Sequence, residues 1–254
     1  RLHVEERGSG APVVLVHGLG GTAADVWRHQ LDDLAASFRV VAFDLRGSGR
    51  SEVTPGPYSI ELLVDDLRAL VEALGLGRVA LVGHSMGGSL VLSYAARFAP
   101  DVRAVVGVGA PATLPNAARD ALAARAEAVE ADGMSTVAET VAANGVSPTF
   151  REREPDEYRR LVAMLAANDP QGYAAQCRAL VGLDLTAELG RIAAPVLLVS
   201  GDRDGVVPPA ASETTAALVP DARVVLVEDC GHNLTFEKPV ELAAAAWPFL
   251  ETNR

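Results

Sequence analysis

Cysteine is scarce in this chain: its 254 residues contain two, Cys177 and Cys230, at a spacing that suits neither a disulfide framework nor a zinc site. A fold stapled by covalent bridges is thereby excluded, and a cytoplasmic location is the simple expectation. Positive charge is also short, with 22 Lys+Arg against 33 Asp+Glu and a net charge of −11. Such a surface repels phosphate backbones, so nucleic acid is not an expected partner, although a local cluster of arginines could still hold a small anion. Long apolar runs are missing too. VVLVHGLGG and PVLLVSGD are cut short by glycine or charge, well below the roughly 18 residues of a membrane helix, so no membrane partner is expected. The opening RLHVEERGSG has no apolar stretch of the kind a secretory signal carries. Finally, the glycine-rich His17-Gly18-Leu19-Gly20-Gly21 lacks both G-x-G-x-x-G spacing and a P-loop lysine, which removes the nucleotide-binding reading.

What is present is apolar and alternating. Hydrophobic residues make up 49% of the chain, enough for one large core. The runs VVLVHG (13–18), RVVAFD (39–44), RVALVGHS (78–85), AVVGVG (104–109), PVLLVSGD (195–202) and RVVLVED (223–229) have the length and continuous apolar character of strands buried on both faces of a parallel sheet. Between them Ile60, Leu63, Val64, Leu67, Leu70, Val71 and Leu74, and later Leu90, Val91, Tyr94 and Phe98, recur at helical spacing. The pattern predicts an α/β fold, a mostly parallel central sheet flanked by helices. It breaks between about Leu114 and Leu185, where no strand-like run occurs. Asn116, Ser135, Pro155 and Asp169-Pro170 there read as helix starts, and Gly133, Gly145 and Gly182 as stops. An inserted helical cap over 114–185, within a core of 1–113 and 186–254, is the economical account.

The chemistry-bearing signal is Gly83-His84-Ser85-Met86-Gly87, set between the strand RVALVG and the helical SLVLSYAARF. A strand-to-helix context is what a nucleophile elbow requires, and Ser85 is the candidate nucleophile. A serine hydroxyl attacks only when a base takes its proton. Of five histidines, His232 follows the last predicted strand and comes last in the order serine, acid, histidine; His17 and His84 flank glycine turns and read as loop supports. The acid belongs on the loop Gly201-Asp202-Arg203-Asp204-Gly205. Asp204, beyond the turn, is preferred, leaving Asp202 to bond turn backbone. Backbone amides at Met86 and Leu19 are the expected oxyanion donors. In the segment Asp44 to Ser51, Asp44 and Arg46 read as pinning a glycine turn.

For the substrate pocket, Trp27, Phe150, Met164 and Tyr173 are candidate lining residues, with Met134, Leu161 and Phe236 beside them. Arg178, with Arg151 and Arg153, is a candidate for holding a substrate carboxylate.

These motifs, together with DLRGSGRS, GHNLTFEKP and the segments ADGMSTVAETV and AANDPQGYAAQCRAL, make the chain resemble the α/β-hydrolase superfamily and, within it, the 3-oxoadipate enol-lactonases. The resemblance covers nearly the whole chain. It implies an α/β-hydrolase fold and a serine hydrolase of a carboxylic ester or lactone, working without a cofactor or metal. Several positions depart from the enol-lactonase pattern: Val16-His17-Gly18 stands where those enzymes have serine and asparagine, GHSMGG replaces GLSMGG, and Gly231-His232-Asn233-Leu234-Thr235 replaces A-H-L-S-N. Asn144-Gly145-Val146-Ser147 stands where a cap tryptophan is found. The scaffold thus matches better than the pocket. The same fold also hosts perhydrolysis, C–C bond hydrolysis, lyase reactions and non-catalytic small-molecule receptors. The expected partner is a small-molecule ester or lactone; oligomeric state is left open.

Overall fold

Runs of valine and leucine uninterrupted by polar residues place six strands side by side in parallel, because only a sheet covered on both faces tolerates them. The computed structural model describes all 254 residues. Its strands are β1 (Val4–Arg7), β2 (Pro12–Val16), β3 (Arg39–Phe43), β4 (Val79–His84), β5 (Val102–Val108), β6 (Val196–Gly201) and β7 (Ala222–Val227). They form one seven-stranded sheet in the order β1-β3-β2-β4-β5-β6-β7, parallel throughout except for β1, which pairs antiparallel with β3. The central strands β4 and β6 are buried along their whole length.

Two strands differ from expectation. β1 has no sequence signal, since Val-Glu-Glu-Arg offers one apolar residue and reads as a charged tail; it is an edge strand whose register on β3 supplies its stability. β7 is the opposite edge, and only Val227 of it is fully buried, with Leu226 exposed. Its apolar run does not mean burial on both faces, because at the sheet's edge α10 and α12 cover it only in part.

The helices are α1 (Ala23–Val26), α2 (Leu31–Ala35), α3 (Ile60–Ala73), α4 (Met86–Arg97), α5 (Asn116–Asp132), α6 (Ala138–Asn144), α7 (Pro148–Arg153), α8 (Pro155–Ala166), α9 (Pro170–Val181), α10 (Pro209–Leu218), α11 (Leu234–Glu237) and α12 (Pro239–Thr252). Two apolar clusters cover the two faces of the sheet: one joins α3, α4, α5 and α9, the other α1, α2, α8 and α12. Five helices, α5 to α9, fill the connection between β5 and β6. Four pieces are legible there from sequence. The fifth, α7, is a six-residue helix started by Ser147 as N-cap and Pro148 at its first position, a Ser-Pro signal that sequence reading passes over.

The root of this insertion is closed by an antiparallel bridge between Thr113 and Asp184 and by Leu185 N–H donating to the Ala112 carbonyl at 2.8 Å. Arg119 adds bonds to the carbonyls of Leu114, Val181 and Leu183. No helix is long and apolar enough to cross a membrane.

Candidate active site

Ser85 follows β4 directly and precedes α4, and the turn between them forces it to φ 53° and ψ −120°. A non-glycine residue in that region is strained, and the strain persists only where its surroundings fix it. Here Ser85 N–H donates to the Val108 carbonyl at 2.8 Å, tying the turn to the neighbouring strand β5. The turn also needs Gly87: a methyl group there would run into the backbone of Val16 at the end of β2 and of His17 just after it. The same crowding brings the loop after β2 against Ser85, since a Cβ on Gly18 would sit 2.9 Å from the Ser85 Cβ.

His232 Nε2 lies 2.8 Å from Ser85 Oγ, and its Nδ1 lies 2.7 Å from Asp204 Oδ2. Asp204 is almost fully buried, and its other oxygen accepts the Val206 and Val207 amides at 2.8 and 2.7 Å. A carboxylate fixed by two backbone donors cannot swing away, which orients the imidazole with Nε2 toward the serine. Asp202 points elsewhere and accepts the Cys230 amide at 3.2 Å. So one aspartate faces the histidine while the other holds the loop that carries it.

The remaining polar groups around the floor are structural. His84 Nε2 donates to the His232 carbonyl at 3.0 Å. Burial, reinforced by the neighbouring His232, pushes the His84 ring down to about 3, so it stays neutral. His17 links two loops, with Nε2 accepting Leu45 N–H at 2.8 Å and Nδ1 donating to the Gly18 carbonyl at 2.7 Å. Asp44 accepts the amides of Ala23 and Arg50 and so pins its glycine turn. Arg46 has no part in that turn's bonding to Asp44, and instead forms a bidentate pair with Asp66 on α3 at 2.6 and 2.7 Å.

The amides of Leu19 and Met86 have no protein acceptor. The first lies in a loop that borders the cavity, the second at the N-terminus of α4, where helix geometry leaves the amide free. A cavity of about 100 Å³ opens above Ser85. Its floor comprises Gly18, Leu19, His84, Ser85, Val206 and His232; its roof comprises Arg125 of α5, Val141 and Asn144 of α6, and Leu161, Met164 and Leu165 of α8. No three His, Cys, Asp or Glu side chains converge as metal ligands would.

Of the pocket candidates, Met164 and Leu161 line this cavity and the others lie elsewhere. Trp27 is fully buried in the core beneath α1 and α2, because a large indole on a short helix packs into the sheet layer. Phe236 and Met134 are likewise core residues. Phe150 borders a separate cavity with Arg153 and Asp229. Tyr173 is fully buried against Gly20, whose Cβ position lies 2.9 Å from the ring; it supports the Gly18–Gly21 loop from behind. Arg178 lies on the outer face of α9 in a bidentate pair with Glu130 at 2.6 Å, and Arg151 stacks over Tyr158. The cation that does border the cavity, Arg125, is hidden in the sequence among the alanines of α5. It is half-buried, forms no ion pair, and lies beside Tyr173 and Cys177, whose thiol is pushed up to about 12 by burial.

The architecture recurs in known proteins. A family model described as the alpha/beta hydrolase fold matches residues 11–239. The chain is 32% identical to 3-oxoadipate enol-lactonase 2 of Acinetobacter baylyi over 195 residues, covering 77% of this chain and 72% of that protein. The solved enol-lactonase of Burkholderia xenovorans LB400 superposes with a TM-score of 0.94 at 30% identity, over 98% of this chain and 96% of the other. A thermophilic esterase from Thermogutta terrifontis, solved with malate bound, gives 0.93 at 29% identity over 99% and 93%.

Proposed function

The chain belongs to the alpha/beta hydrolase fold family, and from that premise we propose that it hydrolyses small carboxylic esters or lactones through an acyl-enzyme on Ser85. The observation that carries this reading is the continuous chain of bonds from Asp204 through His232 to Ser85. In the reaction His232 Nε2 takes the Ser85 proton as Oγ attacks the carbonyl carbon, and Asp204 stabilises the imidazolium formed. The free amides of Leu19 and Met86 bind the oxygen as it becomes negative. His232 then protonates the leaving oxygen, the ester bond breaks, and a water activated by the same imidazole releases the acid and restores the serine.

Residues 114–185 act in this reading as a cap that selects the substrate. A cavity of about 100 Å³ is small beside the roughly 300–1,000 Å³ of drug-sized sites, which favours short acyl groups or requires the roof to lift. Arg125 is a guanidinium at the cavity wall with no ion-pair partner, and a carboxylate on the substrate would supply one. Two of the similar proteins carry names that fit such a ligand, 3-oxoadipate and malate both being dicarboxylates. Two free and buried thiols fit a reducing, cytoplasmic compartment.

The test is a panel of acidic lactones, neutral lactones, esters and vinylogous diketones assayed at equal enzyme concentration. Turnover of lactones and esters, strongest for those with a carboxylate, is expected. Activity confined to the diketones would replace ester hydrolysis with C–C bond cleavage.

A further inference from the structure

The histidine that serves as base is built into the roof as well as the floor. Gly145, at the end of α6, offers one carbonyl to three donors: His232 N–H at 3.0 Å, Asn233 N–H at 2.9 Å and Asn233 Nδ2 at 2.8 Å. Beside it, the carboxylate of Glu237 spans the same junction. Its Oε2 accepts Ser147 N–H from the roof at 2.9 Å and Gly231 N–H from the histidine loop at 3.1 Å, and Oε1 also lies 3.1 Å from Gly231 N. The fit is close. A Cβ on Gly231 would meet Glu237 Oε1, Ser147 N and the Val146 carbonyl carbon, all at 2.8 Å.

Glu237 makes no ion pair, and burial pushes its carboxyl above the ordinary carboxylate range. A half-buried charge without a cation costs stability unless the donors around it compensate. Its partners here are backbone amides on either side of the junction, and neither the nucleophile, the acid nor the cavity touches it.

We infer that Glu237 is a positioning residue, which clamps the α6–α7 corner of the cap to the loop Gly231–Asn233 and thereby sets the alignment of the His232 imidazole on Ser85. This rests on the catalytic reading above. It implies that the cap cannot open at this corner without displacing the base. Misplacing a reacting group by about an ångström costs on the order of 100-fold in rate, and a loosened clamp should cost part of that.

Glu237→Gln turns one of the two acceptor edges into a donor facing the Gly231 N–H, and Glu237→Asp keeps the charge but falls short of one partner. In each, kcat should drop about tenfold with KM within about threefold, and Ser85 should react with a fluorophosphonate more slowly by the same factor. The thermal midpoint of Glu237→Gln should stay within about 3 °C of wild type, since relief of a half-buried charge offsets the new donor–donor contact. Labelling and kcat within twofold of wild type in either folded variant would overturn the inference while leaving the catalytic reading intact. So would a lowered midpoint with unchanged activity per folded molecule, which would mark Glu237 as structural only. A wild-type protein that does not label at all would overturn both.

Discussion

The floor and the roof of the cavity are built on different principles. Backbone fixes the key positions at and beneath the floor: Ser85 at a strained turn, Asp204 held by two amides, and the Leu19 amide in a loop pressed against the serine by Gly18. The roof presents side chains from helices, Arg125, Val141, Leu161 and Met164, whose direction depends on how α5, α6 and α8 pack. It is nevertheless tied down at the rim, by Asn168 Nδ2 on the Gly20 carbonyl at 2.8 Å, by Gln176 on Arg46 and Ser48, and by Gly145 on His232. On the proposed function, chemistry and selectivity reside in separate layers. A floor fixed by backbone suits a reaction common to a whole family, while helix faces can change substrate without disturbing it.

If that division is right, floor substitutions should impair every substrate alike. Asp204→Asn should lower kcat by on the order of 10⁴ on all of them, because the imidazole loses its orienting charge; Asp202→Asn, which only loosens the bond to Cys230 N–H, should cost less than tenfold. Equal losses in the two variants, measured by steady-state kinetics, would erase the distinction between the aspartates.

Roof substitutions should instead divide the substrates. Arg125→Ala should lower kcat/KM for a carboxylate-bearing lactone by roughly 10–150-fold, the worth of a hydrogen bond to a charged group, and leave a neutral ester within about threefold. Parallel losses on both would mean that the roof does not read charge.

The smallest effect concerns the pH dependence of stability. His84 is depressed from 6.5 to about 3 by burial, so between those values the unfolded chain binds a proton that the folded one refuses. Stability from this group is therefore complete above about 6.5 and is lost as pH falls toward 3. His17, also lowered by burial, adds in the same direction. Denaturant unfolding at pH 6.5 and 5 should show the wild type losing about 2 kcal/mol more than His84→Gln; identical losses would mean that the ring is protonated in place.

Most of the floor is legible in the sequence because its motifs are short and local: an elbow needs Gly83-His84-Ser85-Met86-Gly87 wherever it occurs, and strand order then ranks His232 and Asp204. The β-runs likewise declare the sheet. What escapes is set by tertiary packing. β1 exists only through its register on β3, and α7 is too short to show a period. The roof is illegible for the same reason: large aromatics such as Trp27 and Tyr173 are absorbed by the core, Arg178 finds Glu130, and Arg125, in an alanine-rich helix with no apolar stripe to orient it, faces the cavity. The Glu237 clamp, a link between residues about 90 positions apart in sequence, leaves no local pattern.

Ser85 as the covalent nucleophile is the claim on which the rest depends. Rapid acid quench of the enzyme with a slowly deacylating activated ester, followed by peptide mass analysis, should find the acyl group on the peptide containing Ser85 at close to one per chain, and no acylation with Ser85→Ala. Continued turnover of esters by Ser85→Ala at more than about one-hundredth of the wild-type rate, with no acyl group on Ser85 in the parent, would contradict it.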